Sequence, residues 1–229
     1  GPLAVSDLRH VNPLSQAFVD AGIQAGWPRN DDFNGPTQAG VGLYQVTQRD
    51  GARCSAAAAY LAPARTRPNL QVVTGALTQR IVVDHGRATG VEYRHRGRLH
   101  QAGASAEVLL CGGAVNSPQL LMLSGIGPAA HLRAQGLPVQ ADLPGVGGNL
   151  QDHLDICTLY HCPPGLSYDR ASEVKIAFDW FLRGHRGAGS SNIAEAGAFV
   201  RSHLAADERA DIQFHFVPAM LDDHGRHRL

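Results

Sequence analysis

The stretch Gly112 to Leu132, GGAVNSPQLLMLSGIGPAAHL, limits what this chain can fold into more than any other. Inside it, Gly125-Ile126-Gly127-Pro128-Ala129-Ala130 satisfies the dinucleotide pattern G-x-G-x-x-[GA], and Asp142 follows at roughly the distance of a ribose-binding acid. Such a fingerprint needs a strand running straight into its first glycine, so that the turn delivers phosphates to a helix N-terminus. The preceding run here is SPQLLMLS. Ser117 suits an N-cap, Pro118 suits the first helical position, and leucine and methionine favour helix. The spacing predicts helices over about 117–124 and 128–135, broken by Gly125 and Gly127, with Gly136 ending the second. An NAD-dependent dehydrogenase using Gly125–Ala130 stands as the alternative. Gly145-Val146-Gly147 fails the same test, because Pro144 blocks a strand there and leaves a glycine-rich loop.

The rest of the chain mixes periods. NPLSQAFVDAGIQAGWP reads as a helix capped by Asn12 and opened by Pro13, and CSAAAAYLAPA as a short helix stopped by Pro63 and Pro68. LQVVT, QRIVV, ATGVEYR and RLHQA are β-rich runs, with DHGR as a hairpin turn, which predicts an antiparallel meander. AEVLLCGG reads as a strand buried on both faces. DICTLYH, EAGAFV and DIQFHFV read as further strands, and SEVKIAFDWFLRG as a helix. The class is mixed α and β.

The 229 residues suffice for one large domain or two modest ones. Lys+Arg and Asp+Glu number 20 each, which argues against nucleic acid as the main partner. No run of about 20 apolar residues predicts a transmembrane segment. The four cysteines, Cys54, Cys111, Cys157 and Cys162, read as free thiols of a reducing compartment. The cytoplasm is the expected location, with peripheral membrane contact left open. Asp222, Asp223, His224 and His227 in DDHGRH form the local metal-type cluster, read as a polar tail and not as a metal site.

GGAVNSPQLLMLSGIGP resembles the second signature of the glucose-methanol-choline (GMC) oxidoreductases through Gly113, Ala114, Ser117, Pro118, Ser124, Gly125 and Gly127. DLPGVGGNLQDH follows as a second match through Pro144, Gly145, Gly147, Asn149, Leu150, Asp152 and His153. Upstream, NDDFNGPTQAGVGLYQVTQRDGARCSAAAAYL and RPNLQVVTGALTQRIV are similar to the family. SSNIAEAGAFVRS and IQFHFVPAM look most like its choline dehydrogenase branch.

The resemblance implies an α/β FAD/NAD(P)-binding-type nucleotide domain, incomplete here, with an antiparallel sheet excursion and an α+β substrate domain. It implies a substrate-side segment over 1–48, part of the FAD-binding domain over 49–156 and part of the substrate-binding domain over 157–229. The family's own G-x-G-x-x-G and its catalytic His segment are expected outside these residues, the latter beyond Leu229. The chain is thus expected to be the central part of a longer enzyme that oxidises a primary, choline-like alcohol to an aldehyde. A truncated, non-catalytic module without flavin is the competing expectation. Electron acceptor and oligomeric state are not written in these motifs.

By the same resemblance, Thr78 offers a backbone contact to the adenine, and Gly112 and Gly113 let main chain pass the cofactor. Asn149, Asp152 and His153 would lie near the flavin; for His153 a loop-organising hydrogen bond is favoured over acid–base catalysis. Glu195 stands alone as a carboxylate in an apolar, small-residue strand, either exposed on an edge or set at a cavity wall. In choline-type members the matching acid suits a trimethylammonium group, with aromatic faces beside it. Trp180, Phe181 and Phe199 are expected to pack in the core.

Overall fold

A computed structural model describes residues 1–222 and 227–228. In chain order the strands are β1 (Gly40–Leu43), β2 (Gln48–Arg49), β3 (Ala52–Arg53), β4 (Ala76–Asp84), β5 (Arg87–His95), β6 (Arg98–Gly103), β7 (Ile126–Gly127), β8 (Ala141–Asp142), β9 (Ala196–Val200), β10 (Ile212–Phe216), β11 (Leu221–Asp222) and β12 (His227–Arg228). The α-helices are α1 (Pro13–Gln24), α2 (Ala62–Ala64), α3 (Gly113–Leu123), α4 (Ala129–Ala134) and α5 (Glu173–Leu182). Two compact units result: Gly1–Leu70 with Cys157–Leu229, and Gln71–Ile156.

The first unit is built on the antiparallel sheet β1-β9-β10. Helix α1 starts as its sequence predicts. Asn12 is extended and its side chain accepts from the Leu14 N–H at 2.9 Å, and Pro13 opens the first turn. Val19 of α1 packs with Val41, Ala196, Ala198 and Val200, and Phe18 stacks on Phe216 at 4.9 Å. Burying one valine contributes about 1.5–3 kcal/mol, so this small cluster holds helix to sheet. Gly42 and Gly197 face each other in the ladder. A Cβ at Gly197 would overlap the Tyr44 hydroxyl and the Phe214 carbonyl, which hydrogen-bond to each other at 3.0 Å. Helix α5 is capped by Ser172, whose side chain accepts from the Lys175 N–H.

The second unit opens with the meander β4-β5-β6. Both hairpins turn through two residues of positive φ, His85 and Gly86 (48° and 77°), then Arg96 and Gly97 (50° and 77°). Two such residues make a type I′ turn, whose twist matches the strands. The strand predicted in LQVVT does not form; β4 begins at Ala76.

Helix α3 differs from expectation at its start and agrees at its end. It begins at Gly113, with Gly112 in the cap position, so Ser117 is not the N-cap; its Oγ accepts from the Gly112 N–H at 3.0 Å. Pro118 lies inside the helix, which tolerates the loss of one backbone hydrogen bond there. Ser124 ends it, donating to the Leu120 carbonyl at 2.6 Å and accepting from the Ile81 N–H at 2.8 Å, which pins α3 to β4.

Residues 113–123 are therefore helical, and no strand leads into Gly125. Gly125 has φ 81°, and a Cβ there would overlap the Pro138 carbonyl. The short parallel pair β7-β8 follows. Asp142, the acid that mimics a ribose partner, accepts from the Ala129 N–H at 3.0 Å and so caps α4. AEVLLCGG before α3 and DICTLYH form no strand, contrary to expectation. An apolar run becomes a strand only with neighbours to pair with, and no described segment pairs with either.

Candidate functional site

The six residues expected at the flavin, Thr78, Gly112, Gly113, Asn149, Asp152 and His153, all fall in the Gln71–Ile156 unit. Thr78 lies in β4 opposite Tyr93. Gly112 and Gly113 open α3. Gly113 has φ 84° with open space where a side chain would be, and neither an acidic residue nor a capping side chain closes the first turn. The free N–H groups and positive end of an 11-residue helix are thereby left accessible to an anionic group. The glycine-rich loop runs beside this helix, since a Cβ on Gly147 would lie 3.4 Å from Met122 and 3.8 Å from Pro118. Open space at Gly113, on a helix start without a side-chain cap, is a fitting place for a phosphate-bearing cofactor to approach main chain.

The loop's polar residues are organised locally. Asn149 has φ 55° and its side-chain Oδ1 accepts from Gln151 Nε2 at 2.9 Å. Asp152 Oδ1 accepts from the backbone N–H of His153 at 2.8 Å, a bond to main chain and not to the imidazole.

Glu195 lies in the other unit and is built differently. It is 0% exposed, neither on a strand edge nor open to solvent. Oε2 accepts from the Asn12 N–H at 2.6 Å and Ser15 Oγ at 2.7 Å; Oε1 accepts from the Tyr168 hydroxyl and Ser191 Oγ, both at 2.5 Å. Two donors on each oxygen offset the cost of removing the carboxylate from water. Asn12 and Ser15 belong to the first turn of α1, so Glu195 also places a negative group at that helix's positive end. The Tyr168 phenol is pushed up from its ordinary pKa, first by burial and then by donation to Glu195. Tyr168 is itself tied down, its N–H donating to the Pro218 carbonyl at 2.8 Å. Asn12 Nδ2 donates to the Leu166 carbonyl at 2.9 Å.

Beside this cluster lies a cavity of about 260 Å³ lined by His10, Asn12, Tyr168, Lys175, Ile176 and Asp179 among others. Hydrogen bonds from Lys175 Nζ at 2.9 Å and Arg183 Nη1 at 3.0 Å hold the Asp179 carboxyl below the usual carboxylate range. Sequence reasoning singled out Glu195 but missed Asn12, Ser15, Tyr168 and Ser191 as its partners. Three of them lie 27 to 183 positions away, and no spacing rule signals that. Ser191, four residues before, was the one with a local hint.

Phe199 packs edge-on against Phe33 at 5.1 Å, and Trp180 lies 4.3 Å from the His185 ring. Phe181 is 77% exposed and belongs to no core, contrary to expectation. In the DDHGRH cluster, Asp223 and His224 lie outside the described residues. Among the described residues no group of three or more His, Cys, Asp or Glu is placed to hold a metal. No described helix is long and apolar enough to cross a membrane.

The chain is similar over nearly its whole length to known proteins. The chain is 45% identical over 232 residues to an alcohol dehydrogenase [acceptor] of Pseudomonas putida, covering 99% of this chain and 42% of that protein. It is 46% identical over 231 residues to an oxygen-dependent choline dehydrogenase of Burkholderia cenocepacia, covering 98% and 40%. It thus spans about two fifths of the length of these relatives. An FAD-dependent oxidoreductase from Chaetomium thermophilum superposes with a TM-score of 0.73 at 26% identity, over 87% of this chain and 36% of that one. The GMC oxidoreductase sequence model matches residues 1–155. With its helix-borne glycine doublet, its antiparallel meander and this match over two thirds of its length, the chain belongs to the GMC oxidoreductase family.

Proposed function

We propose that this chain is part of an FAD-dependent enzyme that oxidises a primary, choline-like alcohol to an aldehyde. The observation that carries the reading is similarity over 98–99% of the chain to choline and alcohol dehydrogenases at 45–46% identity. In this reading the Gln71–Ile156 unit serves the cofactor, and Gly1–Leu70 with Cys157–Leu229 serves the substrate. Gly112 and Gly113 would hold the FAD through main chain, supported by Thr78, Asn149, Asp152 and His153. When bound, FAD supplies the acceptor for the hydride leaving the alcohol carbon.

Glu195 has all its lone pairs filled by the chain's own donors, so it acts on a substrate through its field and not through a direct hydrogen bond. A unit positive charge about 8 Å away gains roughly 2 kcal/mol at an effective dielectric constant near 20. A trimethylammonium head, which has no N–H to satisfy, suits such a charge.

The test uses the full-length protein. It should purify with flavin absorbance that bleaches when choline is added without oxygen; a colourless protein that takes up no FAD would remove the reading. In Glu195→Gln, kcat/KM should fall for choline at least about tenfold more than for the neutral isostere 3,3-dimethylbutan-1-ol, the ratio expected from that field energy. The ratio is insensitive to any loss of folded enzyme. Equal losses would remove the ammonium role of Glu195 and leave alcohol oxidation standing.

A further inference from the structure

The β5–β6 hairpin concentrates positive charge in a chain that is otherwise balanced. Residues 93–106, YRHRGRLHQAGASA, hold three arginines and two histidines and no carboxylate. The register sets Arg94 between Leu77 and Leu99 in one cross-strand row, and these leucines are 67% and 58% exposed. Arg96 forms the turn, and Arg98 sits opposite His95 in the neighbouring row, so charge surrounds the tip.

Two rows inward the charge is closed off, because Arg80 grips Glu92 through Nε and Nη2, both at 2.6 Å. At the tip, Arg94 donates across the turn to the Gly97 carbonyl at 3.2 Å. None of Arg94, Arg96 and Arg98 pairs with a carboxylate among the described residues. Unpaired guanidinium groups suit phosphate oxygens. The leucines decide which phosphates. Apolar side chains flanking an arginine add nothing on a nucleic-acid backbone, but they bury area at the headgroup and acyl boundary of a bilayer.

We propose that this hairpin tip is a docking surface for an anionic lipid membrane. The inference is independent of the alcohol-oxidation reading, since it uses no residue assigned to cofactor or substrate.

Sedimentation of the full-length protein with vesicles tests it. The protein should partition onto phosphatidylcholine vesicles containing 30% phosphatidylglycerol and ignore pure phosphatidylcholine, with binding lost in about 0.5 M NaCl. Each arginine near such a surface is worth about fivefold, so Arg94→Ala, Arg96→Ala and Arg98→Ala together should lower partitioning about a hundredfold. Leu77→Ser with Leu99→Ser should lower it about tenfold and leave the salt dependence unchanged. Circular dichroism checks that both variants fold. Wild type that ignores the anionic vesicles, or a triple variant that partitions like wild type, overturns the proposal. So does a leucine variant that binds vesicles like wild type while the arginines retain duplex DNA, which would make the patch a nucleic-acid surface.

Discussion

Glu195 and the start of α3 are built in opposite ways. Around Glu195, one buried carboxylate gathers four donors, three of them from distant parts of the chain and one from nearby Ser191, and every lone pair is used. At the start of α3, by contrast, Ser117 Oγ takes up the Gly112 N–H, while the space beside Gly113 is open and no side chain caps the N–H groups of the first turn. The first is satisfied by the chain's own donors; the second leaves its first-turn N–H groups without a side-chain partner. A saturated polar cluster resists change, because removing one member strands the others. An open helix end loses little until a ligand needs it.

Substitutions sharpen this contrast. The largest effect is expected for Glu195→Ala, which leaves four donors without an acceptor in a dry site and should cost about 3–5 kcal/mol in urea denaturation. A loss under about 1 kcal/mol would mean that water reaches the cluster, and the contrast would fail. Tyr168→Phe deletes one of the four donors and should cost about 1–2 kcal/mol.

The same residue gives a pH test. The Tyr168 proton is held more tightly folded than unfolded, so stability should be level below the ordinary tyrosine value of about 10 and fall as pH rises above it. Tyr168→Phe should make that fall shallower without abolishing it, because burial also raises Tyr44. An unchanged alkaline slope would separate Tyr168 from the cluster. The smallest effect is expected in the other unit. Asp142→Ala removes the acceptor at the start of α4 and should cost about 1 kcal/mol, read as a shift in the urea midpoint. A much larger loss would show that this unit, too, depends on long-range side-chain bonds.

Legibility followed the range of the interactions. Asn12 and Pro13 announced α1 because cap and first turn are neighbours in sequence. His85-Gly86 announced a hairpin because positive φ is a property of the residues themselves. The false fingerprint at Gly125–Ala130 could be rejected from the residues before it, and residues 113–123 are indeed helical. Ser117 and Pro118 misled because they make a good helix start, whereas α3 begins at Gly113 and runs through the proline. AEVLLCGG had the composition of a buried strand, but pairing is a property of two segments.

What the residues alone determined, then, was what local rules carry: the Asn12 cap and Pro13 start of α1, the His85-Gly86 hairpin turn, the helix of SPQLLML, and the oddity of a carboxylate in NIAEAGAF. Only the folded chain decided what that carboxylate is. Its backbone and hydroxyl partners come from residues 12, 15 and 168 as well as 191, and a buried charge is stable only where such donors converge. Convergence over that distance is set by how α1 lies on the β1-β9-β10 sheet, and no local pattern encodes it.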